Sequence, residues 1–288
     1  GRLPFTATRR WPAAGGAGYV MILLSNVDLA IAAGLVLMLA LLSLRLQAGI
    51  SGQLLIAALR TAVQLTLIGL VLKALFANVH LGWVSLLALF MLLVAGREVM
   101  ARQERRFTGV WGYSIGTVSM FLSSFAVTVF ALVVILGDSP WYAPQYAIPL
   151  LGMLLGNTMS GIAIALDRLT QSAWQGRGVI ETRLMLGARS SEAIADLRRQ
   201  AIRSGLIPII NAMAAAGVVS LPGMMTGQIL AGAPPVEAVK YQILIMFLIA
   251  AGTGLGTMAA VMIGSRRLFD ERQRLCLDRL RDKTRLIR

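Results

Sequence analysis

The sequence predicts an all-α membrane protein with about seven transmembrane helices, and both composition and segment length indicate this class. Of its 288 residues, 57% are hydrophobic and 14% are charged, and the mean hydropathy is +0.74, too apolar for a soluble domain of this size. Several uncharged stretches approach or exceed the roughly 18 apolar residues that cross a hydrocarbon core as one helix. The polar–apolar alternation of barrel strands is missing, so helices are predicted rather than a barrel.

The apolar stretches and their charged borders divide the chain into three parts. Residues 1–20, which are rich in Gly and Pro, are predicted to be a disordered leader or extension ahead of Met21. Residues 21–265 form a transmembrane domain, and residues 266–288 form a basic cytoplasmic tail. Seven spans are predicted at about residues 27–45, 54–76, 81–97, 112–137, 144–166, 205–231 and 239–264.

The distribution of positive charge predicts the orientation of the spans. Lys and Arg number 27 against 13 Asp and Glu, and most of them lie in alternate loops and in the tail. Because loops rich in Lys and Arg stay in the cytoplasm, the N-terminus is predicted outside and the C-terminus inside. The basic residues therefore indicate membrane topology, and no nucleic-acid partner is predicted.

The largest segment between spans, residues 167–204, is predicted to be a helical cytoplasmic coupling segment that docks onto a partner. Ser190 or Ser191 can cap its second helix, which carries an apolar stripe at helical spacing. The stripe consists of Ile194, Leu197 and Ala201. The alternative is an interfacial helix that rests on anionic membrane lipid through its arginines.

No motif in the chain indicates an enzyme. No Gly is followed by Lys, so the phosphate-binding loop of ATPases is absent and ATP-driven work would need another polypeptide. His80 and Cys276 are the single residues of their types, which leaves no Cys/His metal cluster and no internal disulfide. The chain is therefore predicted to carry no cofactor, and its metal ligands, if any, are unknown.

Polar residues in the fifth and sixth spans predict a substrate route. Asn157, Thr158 and Ser160 lie together in the fifth span, and Asn211 lies in the sixth. An Asn amide in hydrocarbon needs a polar partner, so these residues are expected to face the bundle interior or a cavity. Either the polar groups satisfy one another across helices, or they line the route of a substrate.

The segment VSLPGMMTGQILAG at residues 219–232 places helix breakers inside a long apolar stretch. Pro222 removes the hydrogen bond to the carbonyl four residues earlier, and Gly223 loosens the same turn. This predicts either a fixed kink or a hinge that moves during transport. The thioethers of Met224 and Met225 either fill the core or line the substrate route.

Glycines spaced four residues apart predict close helix packing in the last three spans. The pairs are Gly152 with Gly156, Gly223 with Gly227, and Gly252 with Gly256. These spans are therefore expected to form the tightly packed half of the chain and to support a homodimer.

Four blocks of the sequence carry a family pattern: RTAVQLTLIGLVLK at 60–73, PLLGMLLGN at 149–157, ETRLMLGA at 181–188 and SLPGMMTGQILAGAPPVEAVKYQ at 220–242. Together they resemble the FetB-type ABC transporter permease family, the iron-export permeases related to plant aluminium-sensitivity proteins. The resemblance covers about residues 27–285.

The resemblance implies a permease subunit in the bacterial inner membrane, assembled as two permeases with two separate ATPases that hold ATP and Mg. Glu181 and Gly187 are similar to the Glu-x5-Gly part of the loop by which ABC permeases contact their ATPases, and Arg183 between them is assigned to the same coupling. Iron is the substrate that the resemblance implies. The residues themselves suit a metal chelate or a small solute equally well.

Two other functions remain open from the sequence. One is a secondary carrier or channel driven by an ion gradient, although such proteins usually hold ionisable groups at mid-membrane depth, where this chain has almost none. The other is a non-transporting assembly or sensor subunit, which would leave the polar cluster of the fifth span without a purpose.

Overall fold

The computed structural model describes residues 8–10, 20–22, 25–47, 49–77, 79–137 and 140–282. The chain divides into two compact units. Unit 1 consists of Gly1–Asn78 and Gly223–Ala238, and unit 2 consists of Val79–Pro222 and Val239–Arg288. Most of the predicted leader lies outside the described residues, so its disorder stays a prediction.

Unit 1 combines two paired strands with two long apolar helices and one short helix. These are β1 (Thr8–Arg10), β2 (Val20–Ile22), α1 (Asn26–Arg45), α2 (Ser51–Ala77) and α10 (Gly223–Leu230). Ser25 caps α1, because its hydroxyl accepts a hydrogen bond from the Asp28 N–H at 3.3 Å. α1 packs against α2, and most apolar side chains of both helices remain exposed, as expected of helices that lipid covers.

Unit 2 contains the remaining helices and a small antiparallel strand pair. Its elements are α3 (Leu81–Arg102), β3 (Arg105–Phe107), α4 (Val110–Met120), α5 (Ala126–Phe130), α6 (Pro144–Gln175), α7 (Arg177–Met185), α8 (Ser190–Ala193), α9 (Ala195–Ala215), α11 (Pro235–Arg267, whose first residues belong to unit 1) and β4 (Leu280–Asp282). α6 is central, since α3, α4 and α9 all pack against it. Its Leu154, Ile162 and Leu169 are fully buried.

The helix that follows β3 is not regular throughout. Two π-helical segments, Phe121–Phe125 and Ala131–Leu136, flank α5. In these irregular turns the hydroxyl of Ser123 donates to the Ser119 carbonyl at 2.8 Å, and Thr128 donates to the Ser124 carbonyl at 2.6 Å. Isolated π turns inside α-helices occur frequently at functional sites.

Six helices in the described part of the chain are long and apolar enough to cross a membrane, and the chain is therefore a multi-pass helical membrane protein. They are Val27–Arg45, Ser51–Ala77, Leu81–Arg102, Val110–Ile135, Pro144–Gln175 and Pro235–Arg267. Each corresponds to a predicted span. The fifth is longer than predicted, because residues 167–175 continue α6 with Leu169 and Ala173 buried against the core.

The predicted sixth span, residues 205–231, is not one helix. α9 begins earlier, at Ala195, and ends at Ala215, and α10 begins only at Gly223. The residues between them form a tight turn, in which the Gly217 N–H donates to the Ser220 carbonyl at 2.8 Å. Gly217 has a φ of +83°, a backbone conformation that side chains with a Cβ rarely adopt.

Pro222 therefore does not kink a helix. The prediction that it removes a hydrogen bond inside one continuous span is wrong. It immediately precedes the first residue of α10, a position where the absence of a proline N–H breaks no helical hydrogen bond. The prolines inside helices are Pro149 in α6 and Pro208 in α9. The boundary between the two units falls between Pro222 and Gly223.

The chain after α11 folds back onto unit 2. β4 pairs with β3 in antiparallel register, with Arg105 opposite Asp282, and their side chains form an ion pair of 3.1 Å. The Arg105 guanidinium also lies 4.2 Å from the ring centroid of Trp174 near the end of α6. The ends of α3, α6 and α11 thus lie at the same end of unit 2. The side of the membrane on which this end lies stays a prediction.

Candidate functional site

The polar residues predicted to line one route lie on two different faces of α6. Thr158 is fully buried, and its hydroxyl accepts a hydrogen bond from Ser124 at 3.3 Å. Asn157 is exposed instead, and its side-chain amide donates to the Met153 carbonyl of its own helix at 2.8 Å. Asn211 on α9 is also exposed. Neither Asn side chain is therefore buried in the interior of this chain, and their role in lining a cavity or a substrate route stays a prediction.

Thr158 belongs to a set of buried hydroxyl groups in unit 2 that we call the hydroxyl cluster. Its members lie on α4, the first π-helical segment, α5, α6 and α11. They are Ser119, Ser123, Ser124, Thr128, Thr158, Thr253 and Thr257. Within the described residues, the hydroxyls of Ser119, Thr253 and Thr257 are buried without a hydrogen-bond partner. Buried polar groups are usually paired, so these hydroxyls provide hydrogen-bonding capacity inside the helix bundle.

Ser160, one helical turn from Asn157, borders an open cavity of about 330 Å³, here named the polar pocket. The polar pocket is lined by Arg102, Ser160, Ala163, Ile164, Asp167, Arg168, Gln171 and Ser204. Arg102 donates to the Ser160 hydroxyl at 3.4 Å. The pocket therefore joins the ends of α3 and α6 to the middle of α9.

The carboxylate of Asp167 is fixed within this pocket by two donors. One oxygen accepts the Glu104 N–H at 2.8 Å, and the other accepts the Gln171 amide at 2.9 Å. The same Gln171 amide donates to the Glu104 carboxylate at 2.9 Å. With Arg102 and Arg168 in the lining, the pocket presents both signs of charge to a ligand. No group of three His, Cys, Asp or Glu side chains suited to a metal is present among the described residues.

The two methionines and the predicted hinge lie close to one another in the chain, and the unit boundary falls between the two hinge residues. Met225 is buried, with 7% of its surface exposed, and Met224 is partly buried, both on α10 in unit 1. Asn157, Thr158, Ser160 and Asn211 all belong to unit 2. A role for Pro222 and Gly223 as a hinge, and for the methionines in a substrate route, stays a prediction.

The glycines predicted to pack closely differ in their surroundings. A Cβ at Gly252 would lie 2.6 Å from the Leu154 side chain, and one at Gly256 would lie 2.6 Å from both the Ser123 and the Thr158 side chains. A Cβ at Gly152 would lie 3.3 Å from the end of the Met91 side chain.

No described atom lies within 4 Å of a Cβ built on Gly156 or Gly227, so neither packs closely against another helix in the described part of the chain. One close crossing involves two glycines that the sequence spacing did not indicate, because they lie on different helices. A Cβ on Gly205 of α9 would lie 2.6 Å from the Gly161 carbonyl of α6.

The predicted coupling residues lie on α7 and the turn that follows it. Glu181 is exposed, and Gly187 has a φ of +90° in the turn. Arg183 is engaged within the chain: it donates to the Ala193 carbonyl and to the Asp196 carboxylate, both at 3.1 Å. Asp196 also accepts a hydrogen bond from Arg199, and these two guanidiniums, Arg199 first, hold the pKa of the Asp196 carboxyl below its usual value.

The most exposed apolar residues of this segment are two that the sequence pattern did not single out. Met185 and Leu186, between Arg183 and Gly187, have 80% and 82% of their surface exposed. We call this pair the apolar tip. Two adjacent apolar residues at the hydrophilic end of a helix could have indicated this exposed pair from the sequence. The helix, α7, contacts the core through the buried Ile180.

The long apolar helices, the hydroxyl cluster and the polar pocket define a multi-pass helical membrane protein with polar groups in and near its spans. The chain belongs to the family described as "Uncharacterised protein family (UPF0014)", whose model matches residues 26–269. The match includes every candidate residue described above.

Curated relatives of this chain come from bacteria and plants. It is 43% identical over 232 residues to "UPF0014 membrane protein slr1647" of Synechocystis, which covers 78% of this chain and 86% of the relative. It is 32% identical over 265 residues to "Probable iron export permease protein FetB" of Escherichia coli, which covers 90% of this chain and 98% of the relative.

A plant relative is "Protein ALUMINUM SENSITIVE 3" of Arabidopsis thaliana, 32% identical over 246 residues, with 85% of this chain and 87% of the relative covered. No solved structure matches the chain. The resemblance to the FetB-type family and to plant aluminium-sensitivity proteins is thereby confirmed.

Proposed function

We propose that this chain is the permease subunit of an ABC exporter and that a separate ATPase drives it by binding the apolar tip. The tip is the single observation that supports coupling most directly. Met185 and Leu186 are apolar, more than three-quarters exposed and located outside the six apolar helices. Exposed apolar pairs of this kind are costly in water and are typical of a surface that a partner protein covers.

The contacts behind the apolar tip can transmit force into the bundle. Arg183 joins α7 to Ala193 and Asp196, which lie at the end of α8 and the start of α9. α9 in turn packs along α6, with backbone approach at Gly161 and Gly205 close enough to exclude any side chain. Displacement of the tip by a nucleotide-driven ATPase would therefore move α9 against the wall of the polar pocket.

The exposed amide face of α6 and α9 supports a homodimer as the transporting unit. Gly156, Asn157 and Asn211 lie on exposed surface of unit 2, although Asn in contact with lipid tails is unfavourable. A second copy facing the first would cover these amides and enclose a polar route between the two permeases. Both the homodimer and the route are proposals.

Iron is the proposed substrate because the Escherichia coli relative carries the name of an iron export permease. The polar pocket offers oxygen groups that suit a hard cation, namely the carboxylate of Asp167 and the hydroxyl of Ser160. Asp167 is the residue whose loss is expected to impair transport most.

The deciding experiment is metal flux into inside-out proteoliposomes that contain this chain with its ATPase. Leu186→Asp should reduce both ATPase co-purification and ATP-dependent flux at least tenfold, because a charged residue cannot fill an apolar interface pocket that contributes about 1.4 kcal/mol or more. Leu186→Met, which keeps size and polarity, should retain both. The protein alone should hydrolyse no ATP.

Two outcomes would contradict the proposal. One is full flux in Leu186→Asp with an unchanged ATPase requirement, which would exclude the apolar tip as the coupling surface. The other is flux without any ATPase that follows an imposed proton gradient, which would identify a secondary carrier instead.

A further inference from the structure

A second cavity in unit 2, separate from the polar pocket, is lined by arginine and aromatic side chains. It has a volume of about 300 Å³ and is lined by Trp111, Ile263, Arg266, Arg267, Phe269 and Arg279. We call it the arginine pocket. Three of its lining residues are arginines, two from the end of α11 and one from the folded-back tail.

The arginines of this pocket are held in place mainly by uncharged groups. The Arg267 guanidinium lies over the Trp111 ring, 4.6 Å from its centroid. Arg279 donates through one terminal nitrogen to the carbonyls of Arg267 and Phe269, both at 3.0 Å, which uses one nitrogen of a fork with five N–H donors. Arg266 is exposed.

No carboxylate is among the residues that line the arginine pocket. The neighbouring carboxylate on the tail, Asp270, is already paired with Arg274 at 2.8 Å. The three arginines of the cavity, one of which stacks on the Trp111 ring, therefore have no carboxylate partner among the residues that line it. An anion with several acceptor oxygens would complement these charges.

The position of the pocket indicates which anion reaches it. Trp111 is the second residue of the apolar span Val110–Ile135, and Arg266 and Arg267 are the last two residues of the apolar span Pro235–Arg267. Because Arg267 stacks on Trp111, these two helix ends lie at the same depth. Trp and Arg at the ends of membrane helices occupy the headgroup region of the bilayer.

We propose that the arginine pocket binds the phosphate of an anionic phospholipid at the membrane surface. The guanidiniums of Arg266 and Arg279 would hold the phosphate oxygens, and the Trp111 ring would lie beside the upper acyl chains. Basic pockets between membrane helices recognise such headgroups on the cytoplasmic side. Since Arg279 belongs to the tail, a bound lipid would also fasten the folded-back tail to the end of α11.

The test measures lipid retained by the purified chain in detergent by native mass spectrometry. Phosphatidylglycerol and phosphatidylcholine with identical acyl chains are titrated in parallel. Phosphatidylglycerol should bind preferentially, and Arg266→Gln should weaken it about fivefold, the effect of one basic residue near an anionic surface. Arg266→Gln with Arg279→Gln should abolish the preference.

A matched control is Arg272→Gln, which removes one exposed tail arginine outside the pocket and should leave retention unchanged. Arg266 is exposed, so the single variant should fold normally, which thermal unfolding without lipid checks. Equal retention of the two lipids, or equal loss in Arg266→Gln and Arg272→Gln, would overturn the proposal.

Two further arms distinguish other occupants of the pocket. Displacement of the lipid by millimolar inorganic phosphate would indicate a site for a soluble phosphate compound instead. Loss of ATPase co-purification in Arg266→Gln with unchanged lipid retention would indicate a protein interface. The lipid proposal requires that neither result is obtained.

Discussion

Gly256 lies where α11, α6 and the first π-helical segment come closest, in the wall of the hydroxyl cluster. A Cβ there would meet Ser123 and Thr158, whereas a Cβ on Gly254, two residues away, would meet no described atom within 4 Å. Ser123 and Thr158 are buried, and the Ser123 hydroxyl donates a hydrogen bond to a carbonyl of its own helix. These side chains therefore cannot easily move to make room for an added methyl group. The absence of a side chain at residue 256 is therefore a packing requirement.

This contrast predicts opposite effects of two substitutions on one helix. Gly256→Ala should lower stability by about 1–3 kcal/mol, the usual cost of overpacking a filled site. Gly254→Ala should be neutral or slightly stabilising, because Ala is about 1 kcal/mol more favourable than Gly in a helix interior. Thermal unfolding of both variants in the same detergent measures the difference. Equal stability of the two would contradict close packing at Gly256.

Asn157 shows why single residues were harder to place than helices. An amide in hydrocarbon needs a partner, which is correct, but the Met153 carbonyl of its own helix supplies one at 2.8 Å. The side chain can therefore stay on the exposed face. Sequence alone cannot choose between a partner within the helix and a partner on another helix, because both satisfy the same hydrogen bond.

At the scale of elements, the apolar helices were predictable because length and hydropathy fix them locally. The break between α9 and α10 was not, although its turn residues were visible in the sequence. Gly217, with its positive φ, and Pro222, next to the helix start, mark two ends of one turn. Val218 and Val219 between them are more than 80% exposed. Because both are apolar, the sequence of this stretch resembled one continuous span.

The junction of α7 with α9 depends on the charge of Asp196, which predicts a pH dependence. Its folded-state pKa is lowered by Arg199 and Arg183, so the carboxylate stabilises the junction above the ordinary aspartate pKa of about 3.9. This contribution is lost as the pH falls through the lowered value. At neutral pH, Asp196→Asn should therefore unfold at a lower temperature than the parent protein, and the difference should shrink as the pH falls below the ordinary aspartate pKa of about 3.9.

The measurement is thermal unfolding of both proteins at pH 7 and over a series of acidic pH values. Hydrogen exchange at pH 7 supplements it and should be faster for the α7 amides of Asp196→Asn. Glu271→Gln, which removes an exposed carboxylate of the tail, is the control and should leave α7 unchanged. A difference that stays constant over the whole acidic series would show that the Asn side chain perturbs the junction for a reason other than charge.

At the scale of the whole molecule, the two units differ in how much of their apolar surface the chain itself covers. In unit 1, most large apolar side chains of α1 and α2 are exposed, and only a few residues, such as Ala40 and Leu75, are buried. Unit 2 buries a continuous core around α6. Unit 1 therefore covers less of its own apolar surface than unit 2 does, a difference that the amino-acid pattern alone could not reveal.

The orientation of the chain can be tested with its single cysteine, Cys276, which is partly exposed. The Ser190 N–H donates to the Gln273 side chain at 2.9 Å, so residues 191 and 276 must lie on the same side of the membrane. The arginine-rich loops predict that this side is the cytoplasm. A membrane-impermeant maleimide should therefore label Cys276 in inside-out vesicles and not in intact spheroplasts.

A Cys276→Ser background carrying Ser191→Cys should give the same pattern, and the same background carrying Pro140→Cys should give the reverse. Residue 140 lies in the loop before α6, at the opposite end of that helix from the tail. Labelling of residues 191 and 276 from opposite sides would contradict the folded-back tail itself. Labelling of both from outside would leave the fold intact but reverse the orientation, and an ATPase in the cytoplasm could then not reach the apolar tip.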